Sequence, residues 1–179
     1  VVFIVIIVMF LWKYMLESYD FRWGLIVDWL DPEGNSAEGA FQTMQGLYAI
    51  GSGGFFGKGL GSSTQKMIIP EVQNDMILSI ICEELGVFGA IIVLLLFGFM
   101  LYRLLFIAQN APDMYGSLIV TGIFAHIAIQ VVLNIAVVTN LIPTTGITLP
   151  FISYGGTSIV FLMAEMGIAF GVSRKIRIE

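Results

Sequence analysis

Asp75 stands where the polar 17–75 segment gives way to the apolar run Met76-Ile-Leu-Ser-Ile-Ile-Cys82. Asp75, Ser79 and Glu83 are spaced four apart, so a helix starting near Asp75 carries all three on one face. Gly86 and Ala90 continue that face with small side chains, while Ile77, Ile80 and Ile81 lie opposite. A polar face inside a membrane looks onto a bundle interior or a wet cavity. An acid at such a boundary is placed to act on a lipid-borne substrate. The same position suits a helix N-cap, stabilised by the helix dipole, and spacing leaves both readings open. Glu83 and Glu84 lie deeper and read as structural carboxylates, paired or protonated, with Glu84 pointing elsewhere.

A second polar stripe, His126, Gln130 and Asn134, is also spaced four apart. It reads either as interhelical hydrogen bonding, about 1 kcal/mol or less per bond, or as substrate contact. Glu165 is the one charge in the last apolar run and shares a face with Ser158. Between these runs, residues 140–158 carry no charge but hold Pro143, Pro150, Gly146, Gly155 and Gly156. Irregular backbone near membrane depth survives only against protein or a cavity. Thr144, Thr145, Ser153 and Tyr154 in this stretch are therefore candidates for binding a polar headgroup. The Gly57-Lys-Gly-Leu-Gly61 run lets backbone approach a ligand closely. It lacks the pattern of a nucleotide phosphate loop.

These residues must be positioned by membrane helices. The chain is 58% hydrophobic and 12% charged, where a soluble domain is about one quarter charged, and its mean hydropathy is +0.92. About 20 apolar residues make a span. Four spans are expected: Val1–Leu16 with Lys13 snorkelling, an apolar pattern from Met76 through Leu85–Tyr102, and helices at 115–138 and 157–172. The fold class is an all-α polytopic helix bundle forming a single integral membrane domain over 1–179. Residues 17–75 form a large external loop with short helices near 23–30 and 40–50. Residues 139–156 form an external connector. The chain starts without Met or a basic leader, as a helix entered part-way, so a fragment is expected. Arg174, Lys175 and Arg177 place the C-terminus in the cytoplasm of a multi-pass cell-membrane protein. The net charge of −5 argues against nucleic acid as a partner. One cysteine, Cys82, excludes an internal disulfide and a Cys-rich metal site. There is no HExxH, no GxSxG and no nucleotide fold.

Three stretches carry a resemblance to a known family. They are Leu47 to Gly61 with Gln65-Lys66, then Pro70-Glu71 through Asp75 to Gly86, and Asn134 through Pro143-Thr-Thr-Gly146 to Leu149-Pro-Phe-Ile-Ser-Tyr-Gly-Gly156. Together they resemble the SEDS family (shape, elongation, division and sporulation), which includes FtsW, RodA and SpoVE. The Gly-Leu-Gly and Gln-Lys pattern is closer to FtsW and SpoVE. Members commonly read His-Thr-Asp-Phe where this chain has Gln73-Asn-Asp-Met76. The resemblance implies the last four spans of a ten-span fold. It also implies a bacterial peptidoglycan glycosyltransferase that polymerises lipid II beside a class B penicillin-binding protein and other division or elongation proteins, with its active face external. The family's proposed catalytic acid matches Asp75, as general base. Lys58 and Lys66, or a divalent cation such as Mg or Mn, would neutralise the leaving pyrophosphate. Glu71, Ser79, Asn134, Thr145, Ser153, Tyr154 and Gly156 complete the expected substrate contacts. Two other readings remain, a transporter that flips the lipid-linked precursor and a non-catalytic scaffold of the division machinery.

Overall fold

The computed structural model describes residues 23–27, 29–30, 38–67 and 74–176. Helix α1 is Glu38–Gly53, and a short 3-10 turn follows at Gln65–Met67. Helix α2 is Ile77–Gln109, α3 is Met114–Val138 and α4 is Gly156–Ser173. No strand occurs among the described residues. Helices α2, α3 and α4 are each long and apolar enough to cross a membrane. The expected fourth span, Val1–Leu16, lies outside the described residues, as do Asp31-Pro32 and Glu71.

The α3 and α4 boundaries agree with the sequence reading to within one residue. Asp113 starts α3 by accepting from the Gly116 N–H at 3.3 Å. The connector follows α3 through Asn140, whose φ is +57°, and its Leu149 is buried among the helices. That core includes Met76 and Leu104 from the α2 region, Val120, Ile127 and Val137 from α3, and Leu162 and Ala169 from α4. Leu95, Leu96 and Phe99 on α2, Val132 on α3 and Phe161 on α4 face outward. In water such a surface would be a liability; in hydrocarbon it is the ordinary outer wall of a span.

Helix α2 departs from the expectation of one continuous span. Its 33 residues correspond to about 50 Å, well beyond the roughly 30 Å hydrocarbon core. Gly86 breaks it, with φ +72° and ψ −174°. The break removes the bonds that Val87 and Phe88 would donate to the Glu83 and Glu84 carbonyls. The glycine-rich loop after α1 replaces all four partners. Val87 N donates to Gly54 O at 3.0 Å and Phe88 N to Phe55 O at 3.1 Å, while Lys58 N and Gly59 N donate to the Glu83 and Glu84 carbonyls at 2.9 Å. Each such group left bare in a buried setting costs about 1–3 kcal/mol.

This gives the glycine run a packing role. The backbone at Gly57 closely approaches a broken helix, while a Cβ on Gly59 or Gly61 would meet nothing of it. A Cβ on Gly57 would lie 2.2 Å from the Glu84 carbonyl oxygen, and one on Gly53 would lie 2.0 Å from that of Cys82. Gly86→Ala meets Gly57 N and Phe55 O at 2.4 Å and forces an L residue into a left-handed φ. We expect it to destabilise the full-length protein by about 3 kcal/mol or more, read as a lower melting temperature in detergent. Gly98→Ala, where a Cβ meets nothing within 4 Å, should leave melting unchanged or raise it slightly.

Candidate active site at the head of the broken helix

The first turns of α2 sit under α1 and the loop that follows it. Glu83 is fully buried, so its charge must be met by protein. Lys58 Nζ donates to Oε1 at 2.6 Å, the Ser63 hydroxyl donates to Oε2, and Thr64 Oγ1 donates to Oε1 at 3.0 Å. The Thr64 and Gln65 backbone N–H groups add longer bonds at 3.3 and 3.4 Å. One carboxylate therefore gathers the loop from residue 58 to residue 65. The paired reading of Glu83 describes this geometry. Lys58, expected at a leaving pyrophosphate, is instead held by that carboxylate. Ser63 and Thr64 were missed in the sequence. Their only signal was position, between the glycine run and Gln65-Lys66.

Ser79, expected on a substrate-facing stripe, is also fully buried. It lies against Gly46 of α1, where an added Cβ would come 3.2 Å from its Oγ. The face shared by Ser79 and Glu83 is thus a packing face covered by protein. Asp75 does not join it, because the helix begins two residues later. The N-cap position falls on Met76, whose side chain caps nothing, so the alternative of Asp75 as N-cap is not what the geometry shows. Asp75 is half-buried, and its Oδ1 accepts from Gln42 Nε2 of α1 at 3.3 Å. Gln42 carried no sequence signal.

Asn134 is the second organising residue. It is fully buried, and its Nδ2 donates to the Asp75 carbonyl and to the Ile147 carbonyl, each at 2.8 Å. One amide thereby joins α3, the connector and the backbone of Asp75. The interhelical reading describes it, though its partners are backbone oxygens of two loops. Ser153, expected to face substrate, is buried and accepts from Leu149 N at 2.7 Å, closing a turn inside the connector. Thr145, Tyr154 and Gly156 are exposed, and the loop's Lys66 is exposed as well. Trp29 Nε1 donates to Asn140 O at 2.9 Å and ties the segment before α1 to the end of α3. Farther down, His126 Nδ1 and Glu165 Oε2 lie 3.1 Å apart and join α3 to α4. Among the described residues no three His, Cys, Asp or Glu side chains cluster as metal ligands.

Fold and site together define a polytopic membrane protein with a half-buried acid at the head of a broken helix, braced by buried polar side chains. Residues 1–178 match the FtsW/RodA/SpoVE model, described as cell cycle protein, and the chain belongs to that family. It is 48% identical over 164 residues to stage V sporulation protein E of Bacillus subtilis (strain 168), covering 91% of this chain and 45% of that protein. It is 45% identical over 148 residues to the probable peptidoglycan glycosyltransferase FtsW of the same organism, covering 82% of this chain and 37% of that protein. The chain thus spans less than half the length of these relatives. Among solved structures it is similar to the rod shape determining protein RodA of Thermus thermophilus, with TM-score 0.57, 33% identity, and coverage of 75% of this chain and 41% of that one. A peptidoglycan synthase complex that coordinates polymerization and crosslinking matches with TM-score 0.64 and 28% identity, over 83% of this chain and 39% of its own.

Removing Lys58 strands the fully buried Glu83 carboxylate, at about 3–5 kcal/mol. We expect Lys58→Met in the full-length protein to lower the melting temperature and to open the 57–66 loop to protease. Adding Glu83→Gln to Lys58→Met should recover part of that loss, because the neutral amide leaves no stranded charge. A double-mutant cycle on melting temperature measures that coupling.

Proposed function

We propose that the protein carrying this chain is a peptidoglycan glycosyltransferase that polymerises lipid II at the outer face of the bacterial cell membrane. The observation that carries this reading is the setting of Asp75. Its backbone is braced by Asn134, its carboxylate is oriented by Gln42, and it stays half-exposed at the head of a membrane helix. The names of the relatives support the reaction class. The acceptor sugar's 4-hydroxyl attacks the anomeric carbon of the donor. Asp75 takes the hydroxyl proton as the new C–O bond forms. The anomeric carbon–phosphate oxygen bond breaks, and undecaprenyl pyrophosphate leaves with the bonding pair.

With Lys58 committed to Glu83, Lys66 is the cation this reading assigns to the leaving group. The basic residues after α4, Arg174 and Lys175, support a cytoplasmic C-terminus, which puts the connector and Asp75 outside. A class B penicillin-binding protein is the proposed partner, supported by the resemblance to a synthase complex that couples polymerization with crosslinking.

The test is Asp75→Asn in the full-length protein, reconstituted with its transpeptidase partner and labelled lipid II. Loss of a general base predicts at least about a hundredfold slower polymerisation, with melting temperature and partner binding kept. Near parental polymer yield would overturn the reading. Scoring translocation in the same vesicles separates the transporter, and intact partner binding without catalysis in the parent protein would identify a scaffold.

A further inference from the structure

Helix α1 lays one narrow face against the head of α2. Gln42, Gly46, Ala49 and Gly53 recur at intervals of four, three and four, which keeps them in line on a helix. Ala49 is fully buried, with Gly46 and Gly53 buried beside it. A Cβ on Gly46 would come 3.2 Å from Ser79 Oγ and 3.6 Å from Met76 Sδ, and one on Gly53 would come 2.0 Å from the Cys82 carbonyl oxygen. Gly51, off this line, meets nothing within 4 Å. Gln42 heads the line, and its Nε2 donates to Asp75 Oδ1 at 3.3 Å. We infer that Gln42 is a positioning residue for the candidate base, and that the small-residue face below it sets the register of α1 that brings Gln42 to Asp75. The inference rests on the glycosyltransferase reading above and adds to it the element that aims the carboxylate.

Three observations carry it. Asn134 holds the Asp75 carbonyl, yet the carboxylate still turns about two side-chain torsions. Backbone bracing therefore leaves the reacting oxygens to be aimed by side-chain contacts, and the Gln42 bond is one. A base misplaced by about 1 Å costs on the order of a hundredfold in rate, so such a contact matters to the chemistry more than to the fold. Second, Gln42 is carried by a helix, and side chains on helices are held more closely than those on loops. Third, the tight place in the α1–α2 contact has a removable cause. Ser79 Oγ is buried and has no hydrogen-bond partner. It acts there as bulk against Gly46, and deleting a polar atom that makes no bond is neutral or favourable.

The experiment uses full-length protein reconstituted with its transpeptidase partner and labelled lipid II, and reads kcat, KM and melting temperature for each variant. Gln42→Met keeps the length of the side chain and removes the donor. It should lower kcat about tenfold, part of the cost of a misplaced base, with KM and melting temperature kept. In the Asp75→Asn background the same change should lower the residual rate no further, because a positioning residue acts only through the group it positions. Gly46→Ala should lower kcat by a similar factor by pushing α1 off its register. Ser79→Ala alone should keep kcat and melting temperature, and added to Gly46→Ala it should recover most of the lost rate. Parental kcat in Gln42→Met beside an inactive Asp75→Asn would remove the positioning role and leave the base standing. An equal fractional loss from Gln42→Met in both backgrounds would make Gln42 merely structural and overturn the inference. Failure of Ser79→Ala to restore Gly46→Ala would overturn the part assigned to register. Parental polymerisation by Asp75→Asn would remove the base and its positioning residue together.

Discussion

Glu83 is a carboxylate in a place where a bare carboxylate cannot stay. It lies in the wall of an apolar helix bundle, out of contact with solvent. Charge in such a setting persists only when paired and fully hydrogen-bonded. The chain meets that demand from one loop, through Lys58, Ser63 and Thr64. Bringing those three to one carboxylate pulls the loop down onto α2. The Gly86 break and the glycine run then make the approach sterically possible, and they exchange the bonds that the break releases. The ion pair and the broken helix are two halves of one arrangement, since neither side satisfies its polar groups without the other.

The site inherits its rigidity from this arrangement. Asp75 lies on the short stretch between the loop and α2, so the clamp on Glu83 limits where it can go. Asn134 completes the bracing from the other side by holding the Asp75 carbonyl and the connector at once. What results is an acid with a fixed backbone and a partly open side chain. Preorganisation of this kind lets a single carboxylate act without reorganising at the moment of reaction. Polar side chains near it divide into those spent on bracing and those left accessible. Lys58, Asn134 and Ser153 fall in the first group, and Lys66, Thr145 and Tyr154 in the second.

Much of the fold was legible because membrane spans announce themselves by composition. The α3 and α4 runs are apolar, carry Glu165 as their one formal charge, and are bounded by prolines, glycines or basic residues. Asp75 was legible as a singular acid at a boundary. Gly86 was not legible as a break, because a glycine within an apolar run also reads as a small packing residue. Its role depends on a loop about thirty residues earlier in the chain. The same limit hid the use of Lys58, since a lysine in a glycine-rich loop presents one charge and several candidate anions. Periodicity correctly put Ser79 and Glu83 on one face, yet it gave no information on what covers that face.

Composition alone therefore settled that this chain is helical and membrane-embedded, because the hydrocarbon core admits few residues that cannot satisfy their polar groups locally. Spacing settled which side chains share a helix face. Partnership was decided only in three dimensions. Whether a buried carboxylate meets a lysine or a substrate, and whether a glycine run touches a ligand or a broken helix, depends on long-range contacts that local period does not encode. Asp75 shows the division plainly. Its residue type and place in the chain made it a candidate, and the packing of α1, α3 and the connector around it left it braced, off the helix cap and half-open.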